Sequence, residues 1–283
     1  MKKLLVIGSK GMAGHIIKRY LSGLKKYQIH DIARGVSASS TTYDVDVFNT
    51  DKVCEILVKE KYNVVINCIG SLNKDAEDNP EKAIFLNSYL PHFLAKNVNQ
   101  FNGKLIHIST DCVFNGKKGN YVETDQKDGF GFYAQSKALG EVINDKNLTF
   151  RTSIIGPELK NGIGLLHWFL MQNNEVNGYT KAFWTGVTTL ELAKAIDAAI
   201  DENLSGLYHL VNSEKIDKFS LVTLFKLVFS KEITIIPFEG YSVDKSLINT
   251  RNDFDYQVKS YKNMIVELQQ WMVKNKDIYQ QYF

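Results

Sequence analysis

Two short stretches carry the residues best suited to chemistry. The run "STD" puts Ser109, Thr110 and Asp111 side by side where an apolar segment ends, and "YAQSK" sets Tyr133 and Lys137 four residues apart. On a helix, that separation places two side chains on one face about a turn apart. An ammonium beside a phenol favours the phenolate, which makes the tyrosine a better proton donor to a developing alkoxide. A hydroxyl at the end of the first stretch could hold a carbonyl oxygen beside that tyrosine. The chemistry implied is reduction of a carbonyl, with Tyr133 as the acid, Lys137 as its electrostatic partner and Thr110 as the holding hydroxyl. Tyr-x-x-x-Lys alone is common on ordinary helix faces, so the pair gains its meaning from what positions it.

Carbonyl reduction needs a hydride source, and the start of the chain offers a place for one. Gly8, Gly11 and Gly14 stand three apart, directly after the apolar run "LLVI" and at the opening of a helical pattern. Such a loop gives a tight turn and close backbone approach to a pyrophosphate at a helix N-terminus. Lys10 and Met12 lie within it. The end of the second strand, "IHDIARG", discriminates between the two nicotinamide dinucleotides. An acidic residue there would bind a ribose 2′-hydroxyl and repel a 2′-phosphate. The strand-end position falls on Ala33 with Arg34 next, while Asp31 is still inside the strand. Arg34 can take a phosphate bidentately with help from Lys10, so NADP(H) is the expected cofactor.

The elements that must position these groups alternate in type. Strands are predicted over "KLLVIGS", "YQIHDIA", "TTYDVDV", "YNVVINCIG", "GKLIHIST" and "LTFRTSIIG". Helices are predicted from about Met12 to Ser22, over "NTDKVCEILVKEK" with Asn49 or Thr50 as N-cap, and as one long helix over "PEKAIFLNSYLPHFLAKNVNQF". Two more cover "YAQSKALGEVINDK" and "TLELAKAIDAAIDE". Apolar runs without alternation suit strands buried on both faces, and with intervening helices they imply an α/β fold with a Rossmann-type doubly wound parallel sheet. From about Ser213 the pattern is less regular: a helix over "FSLVTLFKLVF", a strand over "EITIIPF" and an amphipathic helix over 258–276. With no repeat or linker, a smaller C-terminal substrate-binding lobe is expected to arise from excursions of the same chain. The expected division is 1–155 plus about 182–212 for the cofactor-binding part, and about 156–181 plus 213–283 for the lobe.

Bulk composition narrows the partners. The 283 residues carry 34 basic and 31 acidic side chains, a net charge of +3. That balance, without a basic stripe, argues against nucleic acid and against an anionic membrane surface. No apolar stretch approaches the length of about 20 residues that a membrane helix needs. Cys54, Cys68 and Cys112 are dispersed and odd in number, which argues against a zinc site or a disulfide framework. No metal is expected. The protein is read as cytoplasmic, acting on a small molecule, with a homodimer as the working assembly.

Taken together, the motifs resemble those of the extended short-chain dehydrogenase/reductases, and within them the dTDP-4-dehydrorhamnose reductase branch. The matching stretches are "VIGSKGMAGHII", "INCIG", "FLNSYLPHFLA", "ISTDCVFNGKKGNYVETD", "YAQSKALGE", "RTSIIGP" and "FWTGVTTLELA". The likeness covers most of residues 1–200 and thins out afterwards. It implies NADPH-dependent reduction of the 4-keto group of a nucleotide-linked 6-deoxy sugar, in deoxysugar or surface polysaccharide synthesis. It also implies roles: Thr110, Tyr133 and Lys137 are catalytic, supported by Ser109, which also touches the cofactor, and by Asp111. Asp46 and Val47 would meet the adenine. Cys68, Ile69, Gly70 and Asn87 would line the cofactor, and Ile155 would pack on the nicotinamide. Asp111, Val113, Phe114, Trp184 and Thr188 would face the nucleotide sugar, although Trp184 can equally be a core aromatic.

The chain departs from that branch in places. Cys112 stands where the branch usually has Tyr, the proline common before the catalytic tyrosine is missing, and Ala134 replaces a glycine after it. Residues 213–283, where the sugar and base should be read, show little that matches. Two other readings stay open. One is an epimerase or dehydratase with bound NAD, disfavoured by Arg34 and by Asp111-Cys112 in place of a carboxylate pair. The other is a non-catalytic, cofactor-binding regulatory subunit, disfavoured by the intact Thr110, Tyr133 and Lys137.

Overall fold

The first apolar run forms strand β1 (Lys2–Ile7), in which Leu4, Leu5, Val6 and Ile7 have no exposed surface. Leu4 and Val6 join the apolar cluster on one face of the sheet, and Leu5 and Ile7 join the cluster on the other. Because both faces are covered, the strand cannot alternate apolar with polar residues. A computed structural model describes residues 1–160 and 162–283. In it β1 lies among β2 (Tyr27–Ala33), β3 (Thr42–Asp44), β4 (Val64–Asn67), β5 (Lys104–Thr110), β6 (Leu148–Thr152) and β10 (Gly206–His209). The order is β10-β6-β5-β4-β1-β2-β3, and every pairing is parallel. The order reverses between β1 and β4, and open parallel sheets bind ligands beyond the strand ends at such a point. Ile7 pairs with Asn67 and Asn67 with His107, so β1 and β4 end level while β5 runs three residues further, to Thr110.

Helices cover both faces. α1 (Gly14–Gly23), α8 (Thr189–Asp201) and α10 (Tyr261–Lys274) feed one cluster, and α2 (Thr50–Glu60) and α5 (Leu90–Asn99) feed the other. Asn49 caps α2, its side chain accepting from the Lys52 amide at 3.0 Å. The long helix expected after residue 80 is interrupted: α4 (Pro80–Ala83) passes through a π-helical turn, Ile84–Tyr89, into α5. Pro91 explains this. Its ring cannot sit against the carbonyl four residues back or donate to it, and the wider turn accommodates both.

The helix after the Ser-Thr-Asp segment, α6 (Gly131–Leu139), is shorter than the expected run to residue 146. Gly140 packs against the π turn so closely that a Cβ would lie 1.7 Å from the Asn87 carbonyl oxygen. Glu141, next in line, turns inward to meet Arg151. Helix α3 (Asn73–Asp78) and helix α7 (Leu165–Met171) have no counterpart in the sequence expectation. Beyond β6 a two-residue strand β7 (Ile154–Ile155) pairs with β9 (Val187–Thr188). A second sheet consists of β8 (Glu175–Trp184), β11 (Ile216–Asp217) and β12 (Thr234–Asp244), in the order β11-β8-β12, with α9 (Lys218–Val228) packed on it. Among the described residues, no helix is long and apolar enough to cross a membrane.

Candidate active site

The glycine turn after β1 is built for close approach. A Cβ on Gly14 would lie 2.1 Å from the Gly8 carbonyl oxygen, so only glycine lets α1 start this near the strand. Gly11, by contrast, is exposed, and a Cβ there would meet no protein atom closer than 3.4 Å. Ala13 precedes α1 and offers no side-chain cap; the His15 amide is bonded to the Gly11 carbonyl at 3.2 Å, and the other first-turn amides have no side-chain partner. Uncapped amides with a glycine backbone at their mouth fit a dinucleotide pyrophosphate. Met12 lies half-buried, its sulfur close to Gly164.

At the end of β2 the arrangement favours a phosphate. Asp31 is buried inside the strand and is occupied by the Ser9 hydroxyl, the Thr42 hydroxyl at 2.8 Å and Lys18 at 2.8 Å. The Asp31 carboxylate is therefore not free for a ribose hydroxyl. Ala33 ends the strand and Arg34 follows it, exposed, 3.3 Å from Asp46. Lys10 reaches the Gly35 carbonyl at 2.8 Å, which brings the second cation beside the first. An exposed pair such as Arg34–Asp46 is worth little and yields readily to a phosphate. Val47 is a core residue beneath this edge, so only its backbone faces outward from the cluster.

Thr110 ends β5, and its hydroxyl donates to Asp111 Oδ1 and accepts from the Cys112 amide, both at 3.1 Å. It also acts on the Tyr133 phenol, in the direction that favours the phenolate. Burial holds that phenol well above its usual value of 10, and Cys112 and Asp111 push the same way, with Thr110 opposing them. Lys137 is buried, donates to the Ile108 carbonyl at 2.6 Å and lies 3.5 Å from His107 Nε2. Burial lowers its ammonium to about 8, opposed by Glu141 and Cys68. The expected lowering of the tyrosine by the lysine is therefore not the arrangement found, because the Ile108 carbonyl holds Lys137 elsewhere. Tyr133 stays protonated at neutral pH, which is the form a proton donor needs.

Several expected contact residues are braces. Asn87 is fully buried in the π turn: its oxygen accepts from Ser71 N at 2.9 Å, and its amide donates to Ser71 O and to Ser136 Oγ. With its polar atoms spent, it fixes the exit of β4 to α6 and presents none to a cofactor. Ser109 donates to Glu141 at 2.8 Å, inside a buried network with Arg151, Lys127 and His209. Val113 and Phe114 have no exposed surface and pack with Tyr121 and Leu247. The Thr188 hydroxyl caps α8 by accepting from Glu191 N at 3.1 Å, so it too is structural. Cys68, Ile69 and Gly70 line the exit of β4 half-buried, and desolvation pushes the Cys68 thiol up to about 12. Ile155 is buried in β7.

A cavity of about 280 Å³ opens beside the Thr110 end of β5. Asp111 and Cys112 line it from the large sheet, and Trp168, Tyr179, Trp184, Lys218, Tyr241 and Lys245 from the second sheet and its helices. Asp111 is buried and its carboxyl raised by desolvation, while Lys245 and Lys218 pull it down. Burial, then Asp111, takes the Cys112 thiol up to about 11. Among the described residues no group of three metal-ligating side chains comes together. Sequence reasoning reached Asp111 and Trp184, but not the two lysines or two tyrosines, which carry no motif. It also missed Glu77, whose carboxylate accepts the amides of Phe132 and Tyr133 at 3.1 Å each and so caps α6 from α3.

A doubly wound parallel sheet, a glycine turn after its first strand, and threonine, tyrosine and lysine beyond its fifth define a short-chain dehydrogenase/reductase. More narrowly, the chain belongs to the family described as RmlD substrate binding domain, which matches residues 1–240. It is 30% identical over 220 residues to the dTDP-4-dehydrorhamnose reductase of Shigella flexneri, covering 74% of this chain and 72% of that one. A probable low-salt glycan biosynthesis reductase of Haloferax volcanii is 28% identical over 228 residues, 75% of each chain. In structure, the chain superposes on dTDP-4-dehydrorhamnose reductase from Bacillus anthracis in complex with NADP with a TM-score of 0.80, at 20% identity, covering 95% of this chain and 98% of that one. A UDP-glucose 4-epimerase from Thermotoga maritima gives 0.77 at 15% identity, covering 97% and 99%. These two likenesses speak to the fold.

Proposed function

We propose that the protein is an NADPH-dependent reductase of a nucleotide-linked 4-keto-6-deoxy sugar, acting in deoxysugar supply for surface polysaccharide. The observation that carries this reading is Thr110 at the end of β5 with Tyr133 and Lys137 one turn apart on α6, and a cavity that opens at the adjoining Asp111 and Cys112. The activity for which the Shigella flexneri relative is named, dTDP-4-dehydrorhamnose reduction, supports the same class.

NADPH supplies the hydride when bound. The glycine turn and the open amides of α1 would hold its pyrophosphate, and Arg34 with Lys10 its 2′-phosphate. Asp46 sits at the edge where the adenine would lie. At the reacting centre Thr110 turns its hydroxyl proton from Asp111 to the keto oxygen, which fixes the carbonyl and stabilises charge as it develops. Tyr133 then gives its phenolic proton to that oxygen. Lys137, charged below about pH 8, stabilises the phenolate left behind once its ammonium turns from the Ile108 carbonyl to the phenol.

The test is nicotinamide absorbance in pure protein mixed with NADPH and a panel of nucleotide 4-keto sugars. Consumption is expected with at least one of them, and faster with NADPH than with NADH. Tight NADPH binding with no consumption on any sugar would contradict the proposal.

A further inference from the structure

We propose that Lys218 and Lys245 form a clamp for the diphosphate of the substrate, with the Tyr179–Tyr241 pair beyond them receiving the base. This rests on the reductase reading, which requires a nucleotide sugar. Both lysines line the cavity, one from the first residue of α9 and the other from just past β12. Lys215, three residues before Lys218, is paired with Asp244 at 2.7 Å. Among the described residues, Lys218 and Lys245 make no such ion pair. Their favourable neighbours are Asp111 and the Cys112 thiol on the opposite wall, and Asp111 already receives the Thr110 hydroxyl. Two half-buried ammonium groups sharing one carboxylate leave positive charge that the protein does not neutralise, which a doubly charged ligand would.

The exposure of the lining groups rises in a sequence that matches the parts of a nucleotide sugar. Asp111, next to Thr110, is 7% exposed, Lys218 and Lys245 are half-buried, and Tyr179 and Tyr241 are 37% and 53% exposed. The tyrosine rings lie 5.6 Å apart at 66°, and Tyr179 also meets the edge of Phe238 at 5.6 Å. The β-bulge between Phe238 and Ser242 shifts the register of β12 just where Tyr241 sits, turning that ring toward Tyr179. A ligand with a reacting head, an anionic middle and a flat aromatic end fits this gradient, because aromatic side chains at a rim stack on a base.

Titration calorimetry on the full chain saturated with NADP⁺ tests the clamp, with dTDP, UDP and GDP tried in turn as probes. Lys218→Met and Lys245→Met keep the apolar stems and remove the charge, and Lys262→Met, on the exposed face of α10, is the control. Each cavity variant should weaken the bound nucleotide about tenfold, the scale of one charge-assisted hydrogen bond to phosphate. Inorganic pyrophosphate should compete with the nucleotide in the wild type. Tyr179→Ala should weaken the nucleotide but leave pyrophosphate binding unchanged. Unaltered affinity in both lysine variants, with melting curves like the wild type, would overturn the clamp, as would no binding of any of the three nucleotides. Lysine-dependent nucleotide binding without turnover of any keto sugar would overturn the reductase reading and leave the clamp. Turnover with unchanged KM in both lysine variants would do the reverse.

Discussion

Tyr133 and Lys137 share a helix face, yet their environments push them in different directions. The phenol is raised by burial and stays protonated, and the ammonium is lowered to about 8. Reduction consumes a proton, so a tyrosine that starts protonated suits this direction of reaction. The lysine then sets the alkaline limit. The rate should fall as pH rises through about 8, where Lys137 loses the charge that stabilises the phenolate. Lys137→Arg, which stays charged, should move that limb upward. Tyr133→Phe should keep cofactor binding and lose turnover by roughly a hundredfold or more, the scale of a positioned general acid. A kcat profile with no limb near pH 8, or an active Tyr133→Phe, would remove these two residues from their roles. The residue types and spacings of this trio were legible in the sequence. The protonation states were not, because they depend on the Ile108 carbonyl and on burial, which no local pattern encodes.

At the scale of elements, the site depends on contacts between segments far apart in the chain. Helix α6 carries Tyr133 and Lys137, and its first amides are capped by Glu77 from α3. Its other end is set by the approach of Gly140 to the π turn that holds Asn87. Glu77→Ala should cost roughly 1 kcal/mol, the usual worth of a cap. It should also lower kcat more than it raises KM, because the tyrosine loses its fixed position. A variant whose kcat is unchanged while its melting temperature falls would leave Glu77 a stability residue only. This is also where sequence reasoning ran short. Asn87, Ser109 and Thr188 have the polar types of ligand contacts, but each spends its hydrogen bonds inside the protein. Apolar Val113 and Phe114 follow Thr110 closely and still belong to a buried cluster. Strands buried on both faces left plain apolar runs, which made the large sheet readable. In the second sheet the apolar start of β12 was readable, but β8 is not a plain apolar run and the cavity lysines follow no period at all.

For the molecule as a whole, buried histidines set the acid limit of stability. Burial lowers His15 and His209 from 6.5 to about 4 in the folded protein. The unfolded chain takes up those protons at about 6.5, so between 6.5 and 4 it binds more protons than the folded state. Stability is therefore full above 6.5, declines as pH falls through that window and levels off below it. For His15 alone the loss is roughly 3 kcal/mol. Carboxylates held low by partners, such as Glu141 against Arg151, add their loss only below their ordinary value of 4.5. Thermal melts should show a decline that begins well above pH 4.5, and His15→Gln should make it shallower. A melting temperature flat between 6.5 and 4.5 would contradict the assignment of neutral, buried histidines.

The central claim is a net hydride transfer to a keto sugar, and its most direct measurement uses NADPH deuterated at the transferred position. The protein, the labelled cofactor and a dTDP-linked 4-keto-6-deoxy sugar are mixed, and the sugar product is examined by mass spectrometry and NMR. One deuterium at C4 of a stable alcohol is expected, with one NADP⁺ released for each product. A product that carries no label, or a sugar altered in stereochemistry with the cofactor left reduced, would contradict it and point to an epimerase.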